Sequence, residues 1–190
     1  MPLPLCIRID ASDVHSATCL LDDGWREVEV LETWEREAVP LEEFPCVANS
    51  LVRDATEADR QRCQWIASTG FTRDRLHTDM KVTNAEADFA KVEWVNNAFD
   101  GDADVILVIE LYGDIVGFVI CKKTPVVIID LIVIDSRHRR KGLATQLIAA
   151  AILRSSCVVR AGTQVNNRAA QVVYEKLGFK PVRMQRTYHK

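Results

Sequence analysis

Residues 136–152 read SRHRRKGLATQLIAAAI, and the fold turns on how that stretch is understood. Leu143, Leu147, Ile148, Ala151 and Ile152 recur at helical spacing, so a helix starts near Gly142 and runs to about 154. Arg137, Arg139, Arg140 and Lys141 crowd its beginning. The first turn of a helix already carries free N–H groups and a partial positive charge. Each cation placed there costs roughly 0.3–1 kcal/mol. A bound anion, such as a diphosphate, reverses that sign. Gly142 removes a side chain where a ligand would approach the backbone, and Ala144 is nearly as small. The competing reading is an exposed basic turn without a ligand. There is no GxxxxGK[ST] in the chain, and no GxGxxG after its first strand, so a Walker loop and a dinucleotide fold are unsupported.

Working outward, "PVVIIDLIVI" before the basic turn is a nearly apolar run and reads as a central strand. "DVILVIELYGDIVGFVIC" ahead of it reads as a hairpin around Tyr-Gly-Asp. "CVVRAGTQV", "NRAAQVVYEKLG" and "FKPVRMQRTY" follow the basic turn as strand, helix and strand. Upstream, "SLVRDAT" is a strand. "TEADRQRCQWIAST" is a helix that Thr56 caps, with Asp59 completing a capping box and Gly70 ending it. "FTRDRLHTDMKVT" has no clear period. "NAEADFAKVEWVNNAF" is a helix with Phe89, Val92 and Phe99 among its apolar positions. Residues 1–48 read as strand, helix, strand and a proline-containing connector over 36–50, a βαβ-like extension too small to stand alone. With 49–190 as the main domain, the order predicts an α+β fold, a mixed α/β sheet with helical crossovers.

The chain has 190 residues, 48% of them hydrophobic, and a net charge of −3. That suits one domain with a small appendage, and bulk nucleic-acid binding is not suggested. The charge is uneven: residues 1–48 hold eleven acids and three bases. Six cysteines, with no CxxC pair among them, point to a reducing compartment. The start shows no signal peptide, and no apolar run is long enough to span a bilayer. The expectation is therefore a cytoplasmic protein without membrane or nucleic-acid partners. His77 and His138 have no neighbours at metal-ligand spacing, so no metal is expected.

The pattern Arg139-Arg140-Lys141-Gly142-Leu143-Ala144, between an apolar strand and an amphipathic helix, resembles the acetyl-CoA loop of the GNAT acetyltransferases. "NNRAAQVVYEKLGFKPV" resembles that superfamily's second signature at the expected separation. The two motifs span about 126–182, and the likeness extends more loosely over 49–190. The resemblance implies an acyl-CoA N-acyltransferase fold with acetyl-CoA as donor. It also implies roles residue by residue. The main-chain groups of Ile132, Val133 and Ile134 pair with the pantetheine arm. Arg139, Arg140, Lys141, Gly142, Leu143 and Ala144 hold the diphosphate, and Thr145 adds its hydroxyl. Asn167 contacts the cofactor, and Tyr174 protonates the departing thiolate. Asn167 and Tyr174 are seven apart, so both lie on one helix face.

Attack of an amine on a thioester requires a route for the amine proton. Asp130 interrupts an apolar strand and shares its parity with Ile132 and Ile134, which makes it a candidate base. The family often has a glutamate elsewhere on this strand; no acid stands there. The layout is similar to bacterial acetyltransferases that modify an amino sugar on a nucleotide diphosphate, such as the dTDP-fucosamine acetyltransferases. Under that likeness Arg73, Arg75 and His77 would meet the acceptor, and water would relay the amine proton. Other small-molecule amines stay open: a polyamine or an antibiotic amine, and also a protein N-terminus. So does a GNAT-like module that binds acyl-CoA without turnover. A homodimer is compatible with all of these.

Overall fold

The computed structural model describes residues 3–38, 45–155 and 157–190; the middle of the proline-containing connector lies outside them. The strands are β1 (Cys6–Asp10), β2 (Arg26–Arg36), β3 (Ser50–Asp54), β4 (Val105–Leu111), β5 (Asp114–Lys123), β6 (Val127–Ile134), β7 (Val159–Gln164) and β8 (Lys180–His189). The helices are α1 (Val14–Asp22), α2 (Arg60–Gly70), α3 (Asn84–Asn97), α4 (Leu143–Leu153) and α5 (Arg168–Lys176). The strands form one sheet in the order β1-β8-β2-β7-β6-β5-β4-β3. Only β6 and β7 run parallel among its neighbouring pairs. This is the mixed α/β sheet expected.

Alternation along the strands feeds two cores, one on each face. Leu107, Ile109, Val119 and Ile134 join Leu143 and Leu147 of α4 and Tyr174 of α5. Val108, Phe118, Ile120, Leu131 and Val133 join Cys63, Ile66 and Ala67 of α2 and Val95 of α3. Tyr112 (φ 55°) and Gly113 (φ 86°) turn the β4–β5 hairpin, and two left-handed residues in succession match the twist of the flanking strands.

Three local readings change. Helix α4 is buried almost all round, Thr145 and Gln146 included. The reason is that Gln146 Oε1 accepts from Val47 N (3.2 Å) and Ser50 Oγ (2.7 Å), which brings the segment before β3 over the helix. Phe89 of α3 is 63% exposed, and the inward stripe is Ala87, Lys91 and Val95. A lysine at the centre of that stripe hid its register from a count of apolar positions. Gly70 closes α2 without a left-handed conformation. It is needed for contact instead, since a Cβ there would lie 2.3 Å from Val133 Cγ2.

The first 36 residues supply two strands of the sheet. β8 lies between β1 and β2, and β2 lies between β7 and β8. Consequently β7 and β8, consecutive through α5, do not pair with each other. β2 instead bonds to both of them, along residues 31–36 and 26–35 respectively. No helix among the described residues is long and apolar enough to cross a membrane.

Candidate functional site

The parallel pair opens partway along its length. β6 and β7 pair only at Val127↔Val159, Ile128↔Arg160 and Ile129↔Ala161. Beyond that point residues 131–134 of β6 keep β5 on one side and lose β7 on the other. The split starts at a bulge. Ile120 faces Leu131 while Cys121 faces Ile129, so Asp130 is the extra residue. Asp135 N donates to Val116 O of β5 (2.8 Å). Strand alternation therefore turns the main-chain groups of Ile134 and Ile132 to the opposite edge, into the crevice. A strand edge of this kind offers hydrogen bonds to an extended ligand arm.

The carboxyl ends of two parallel strands lead into two helices, whose positive N-termini both meet the open end. α4 begins at Gly142 (φ 83°), a residue with no side chain of its own to cap the helix. Arg140 is also left-handed (φ 64°), so the turn before α4 bends sharply, and among the described residues no side chain bonds to the amides of its first turn. A Cβ on Gly142 would come to 3.4 Å from Val47. Arg140 and Lys141 are exposed beside this turn; Leu143 and Thr145 are buried and Ala144 half-buried. Arg139 is exposed too, and it bonds to the main chain: its Nη2 donates to Gly70 O (2.5 Å) and its Nε to Ile134 O (3.2 Å).

α5 shows why its signature takes the form Tyr-Glu-Lys-Leu-Gly-Phe. Asn167 caps the helix, accepting from Ala170 N (3.4 Å) and donating to Thr163 Oγ1 on β7 (3.0 Å). At the other end Gly178 is left-handed (φ 80°). Gly178 N reaches Glu175 O, and Phe179 N reaches Tyr174 O (both 3.0 Å). These are the two bonds of a Schellman cap, which folds Phe179 back onto Tyr174. Their ring centroids are 5.4 Å apart, and Trp34 of β2 stands 6.1 Å away on another side. Tyr174 is 2% exposed, and burial pushes its hydroxyl pKa above the ordinary phenol value.

On the opposite face Asp130 accepts from Trp94 Nε1 (2.8 Å) and lies 3.6 Å from Lys122 Nζ. The bulge breaks the expected parity. Ile132 and Ile134 belong with the α4 core, whereas Asp130 stands with Trp94 of α3. The two candidate catalytic groups, Tyr174 and Asp130, thus occupy different faces. Above Asp130 sits a buried polar group that the sequence did not announce. Lys91 pairs with Asp74 (3.3 Å) and lies 4.9 and 4.8 Å from the rings of Phe71 and Trp94. Burial pulls its ammonium below the ordinary lysine value, Asp74 opposing. His77 is clamped at both ring nitrogens, by Asp74 (2.6 Å) and Asp88 (3.1 Å), which leaves neither free.

Of the two arginines expected nearby, Arg73 is exposed. Arg75 contacts His189 Nε2 (3.2 Å), itself bonded to buried Asp79. Across the crevice Glu29 of β2 is buried, held by Arg8 (3.2 Å), Thr187 (3.1 Å) and Gln164 (2.8 Å). Lys91 and Glu29 escaped the sequence reading because each looks like a surface charge on an amphipathic element. The only available signal was an unbroken inward stripe at positions 87, 91 and 95.

The sequence model of the Acetyltransferase (GNAT) family matches residues 60–179. The chain is also 28% identical over 129 residues to the spore coat polysaccharide biosynthesis protein SpsD of Bacillus subtilis (strain 168). That alignment covers 65% of this chain and 45% of the relative, so the chain spans less than half the relative's length. A GCN5-related N-acetyltransferase from Sphaerobacter thermophilus superposes with a TM-score of 0.66 at 15% identity, over 98% of this chain and 60% of its own. A functionally unknown conserved protein from Staphylococcus epidermidis ATCC 12228 superposes with a TM-score of 0.75 at 15% identity, over 98% and 71%. At that identity these structural likenesses speak for the fold alone. With more than half of the sequence matched by the family model and the split parallel pair in place, the chain belongs to the Acetyltransferase (GNAT) family.

Proposed function

We propose that this protein moves an acetyl group from acetyl-CoA to a primary amine, the amine being carried by an amino sugar on a nucleotide diphosphate. The observation that carries the donor half is the start of α4 at left-handed Gly142, which has no side chain to cap it, standing where β6 and β7 part. These residues fit the donor. First-turn amides suit a diphosphate, Arg140 and Lys141 add charge, and the edge at Ile132 and at the Ile134 amide, whose carbonyl Arg139 takes, suits an amide-bearing arm. Bound acetyl-CoA supplies an activated thioester.

The chain's own groups then handle the protons. As the new C–N bond forms and the C–S bond breaks, Tyr174 donates its hydroxyl proton to the leaving sulfur. Burial raises its pKa, so the hydroxyl carries its proton in the resting protein. The surplus amine proton passes to water, and Tyr174 is reprotonated in turn. Asp130, held by Trp94 and Lys122, stays outside this path.

The sugar half rests on the likeness to a polysaccharide biosynthesis protein and on exposed Arg73 in the segment that follows α2, a side chain suited to phosphate contact. Six free thiols among the described residues support a reducing, cytoplasmic setting. The test is free-thiol release from acetyl-CoA with a panel of dTDP- and UDP-linked amino sugars, polyamines, aminoglycosides and peptides. Preferred turnover of a nucleotide-linked amino sugar is expected. Turnover of peptides alone would overturn the sugar reading.

A further inference from the structure

Arg139 opens the Arg-x-x-Gly-x-Ala loop and is exposed, yet its Nε and Nη2 both turn to main-chain carbonyls, Ile134 O and Gly70 O. Gly70 is the last residue of α2. The final carbonyls of a helix lack partners within it and carry partial negative charge, so an arginine there is well placed. The absence of a Cβ on Gly70 is what lets this helix end come close enough to β6. The next residue, Phe71, lays its ring beside Lys91, and Trp94 flanks the same ammonium. Trp94 in turn donates to Asp130 in the β6 bulge.

The free stretch of β6 is therefore fastened at both ends to the α2–α3 layer. Trp94 holds Asp130, and Arg139 holds Ile134 while gripping the point from which residues 71–83 depart. That segment starts from Gly70 beside Val133 of β6 and reaches Thr78 and Asp79, which bond to Val28 O and Arg26 of β2, so it spans from one side of the split in the sheet to the other. We propose that the side chain of Arg139 is a positioning residue for the amine acceptor. It sets where residues 71–83 begin relative to β6, and donor binding is left to the main chain at Gly142 with Arg140 and Lys141. This inference rests on the acetyl-transfer reading given above.

The test compares Arg139→Met, which keeps the aliphatic stem, and Arg139→Lys, which can reach one carbonyl. Acetyl-CoA affinity is measured by calorimetry, amide exchange is followed over residues 70–83, and steady-state kinetics use dTDP-fucosamine as the probe amine. For Arg139→Met the donor Kd should stay within threefold. Acceptor KM should rise at least tenfold and exchange over 71–83 should accelerate; Arg139→Lys should recover part of both. A tenfold or greater loss of acetyl-CoA affinity in Arg139→Met, with exchange over 71–83 unchanged, would overturn the proposal and make the side chain a donor ligand. If the wild type binds acetyl-CoA but leaves the probe unmodified, the acceptor assignment fails, and donor Kd with exchange still decides Arg139. If the wild type does not bind acetyl-CoA, the acetyl-transfer reading fails, and unchanged exchange in Arg139→Met would still overturn the staple.

Discussion

Tyr174 is held by more than its neighbours in the core. The left-handed Gly178 turns the chain so that Phe179 closes on the ring, and Trp34 arrives from a strand near the other end of the sequence. Under the proposed reaction a ring fixed in this way suits proton transfer, because little reorganisation of the ring remains to be done when sulfur departs. Replacing Tyr174 by Phe keeps the ring and both aromatic contacts and removes only the proton. Turnover should fall by about 10²-fold or more, with acetyl-CoA affinity within threefold. Unchanged kcat on the preferred amine would remove Tyr174 from the chemistry. The sequence offered this residue as a candidate through its resemblance to the family motif and its spacing from Asn167. It did not show Trp34, since nothing local connects β2 with α5. Lys91 was hidden for a related reason: a buried cation is legible only once Asp74, Phe71 and Trp94 are assembled around it.

At the scale of elements, capping chemistry was readable and packing was less so. Thr56 and Asp59 form the capping box expected at the entry to α2. The structure adds Arg53 of β3, which grips both oxygens of Asp59 (2.7 and 3.0 Å). That pairing, helped by Thr56 and opposed by burial, holds the Asp59 pKa at about 2. The folded value is depressed below an unfolded value near ~3.9. The stabilisation is therefore complete above that value and is lost as pH falls toward about 2. Asp59→Asn should be less stable than wild type at neutral pH, and the difference should shrink between about pH 4 and pH 2. Denaturant titrations across that window check it, and a constant difference would contradict the assignment. The β6 bulge, by contrast, was invisible: alternation placed Asp130 with Ile132, and one extra residue moved it to Trp94's face.

For the whole molecule, the division at residue 48 meets a sheet that runs through it. The signs of a strand, a helix and a strand in residues 1–48 are plain in the sequence, but periodicity carries no information about which strands become neighbours. Pairing of distant strands is decided by the packed fold, and here β2 fills the gap between β7 and β8. Deleting residues 1–36 would expose the ladders of both strands and uncover Tyr174 beside the missing Trp34. Unpaired strand edges promote association. The shortened chain should aggregate or lose its cooperative melting transition, as judged by size-exclusion chromatography and calorimetry. A soluble monomer melting within a few degrees of the full chain would contradict the single-sheet account.

The central claim concerns the amides at the start of α4, and it is tested most directly by titrating folded protein with acetyl-CoA in a calorimeter, alongside Gly142→Asp. The account predicts saturable binding to the wild type. It also predicts a loss of at least tenfold in the variant, where a side chain and a negative charge stand at the left-handed turn. Equal affinity in the two proteins, or no saturation in a well-folded wild type, would contradict it.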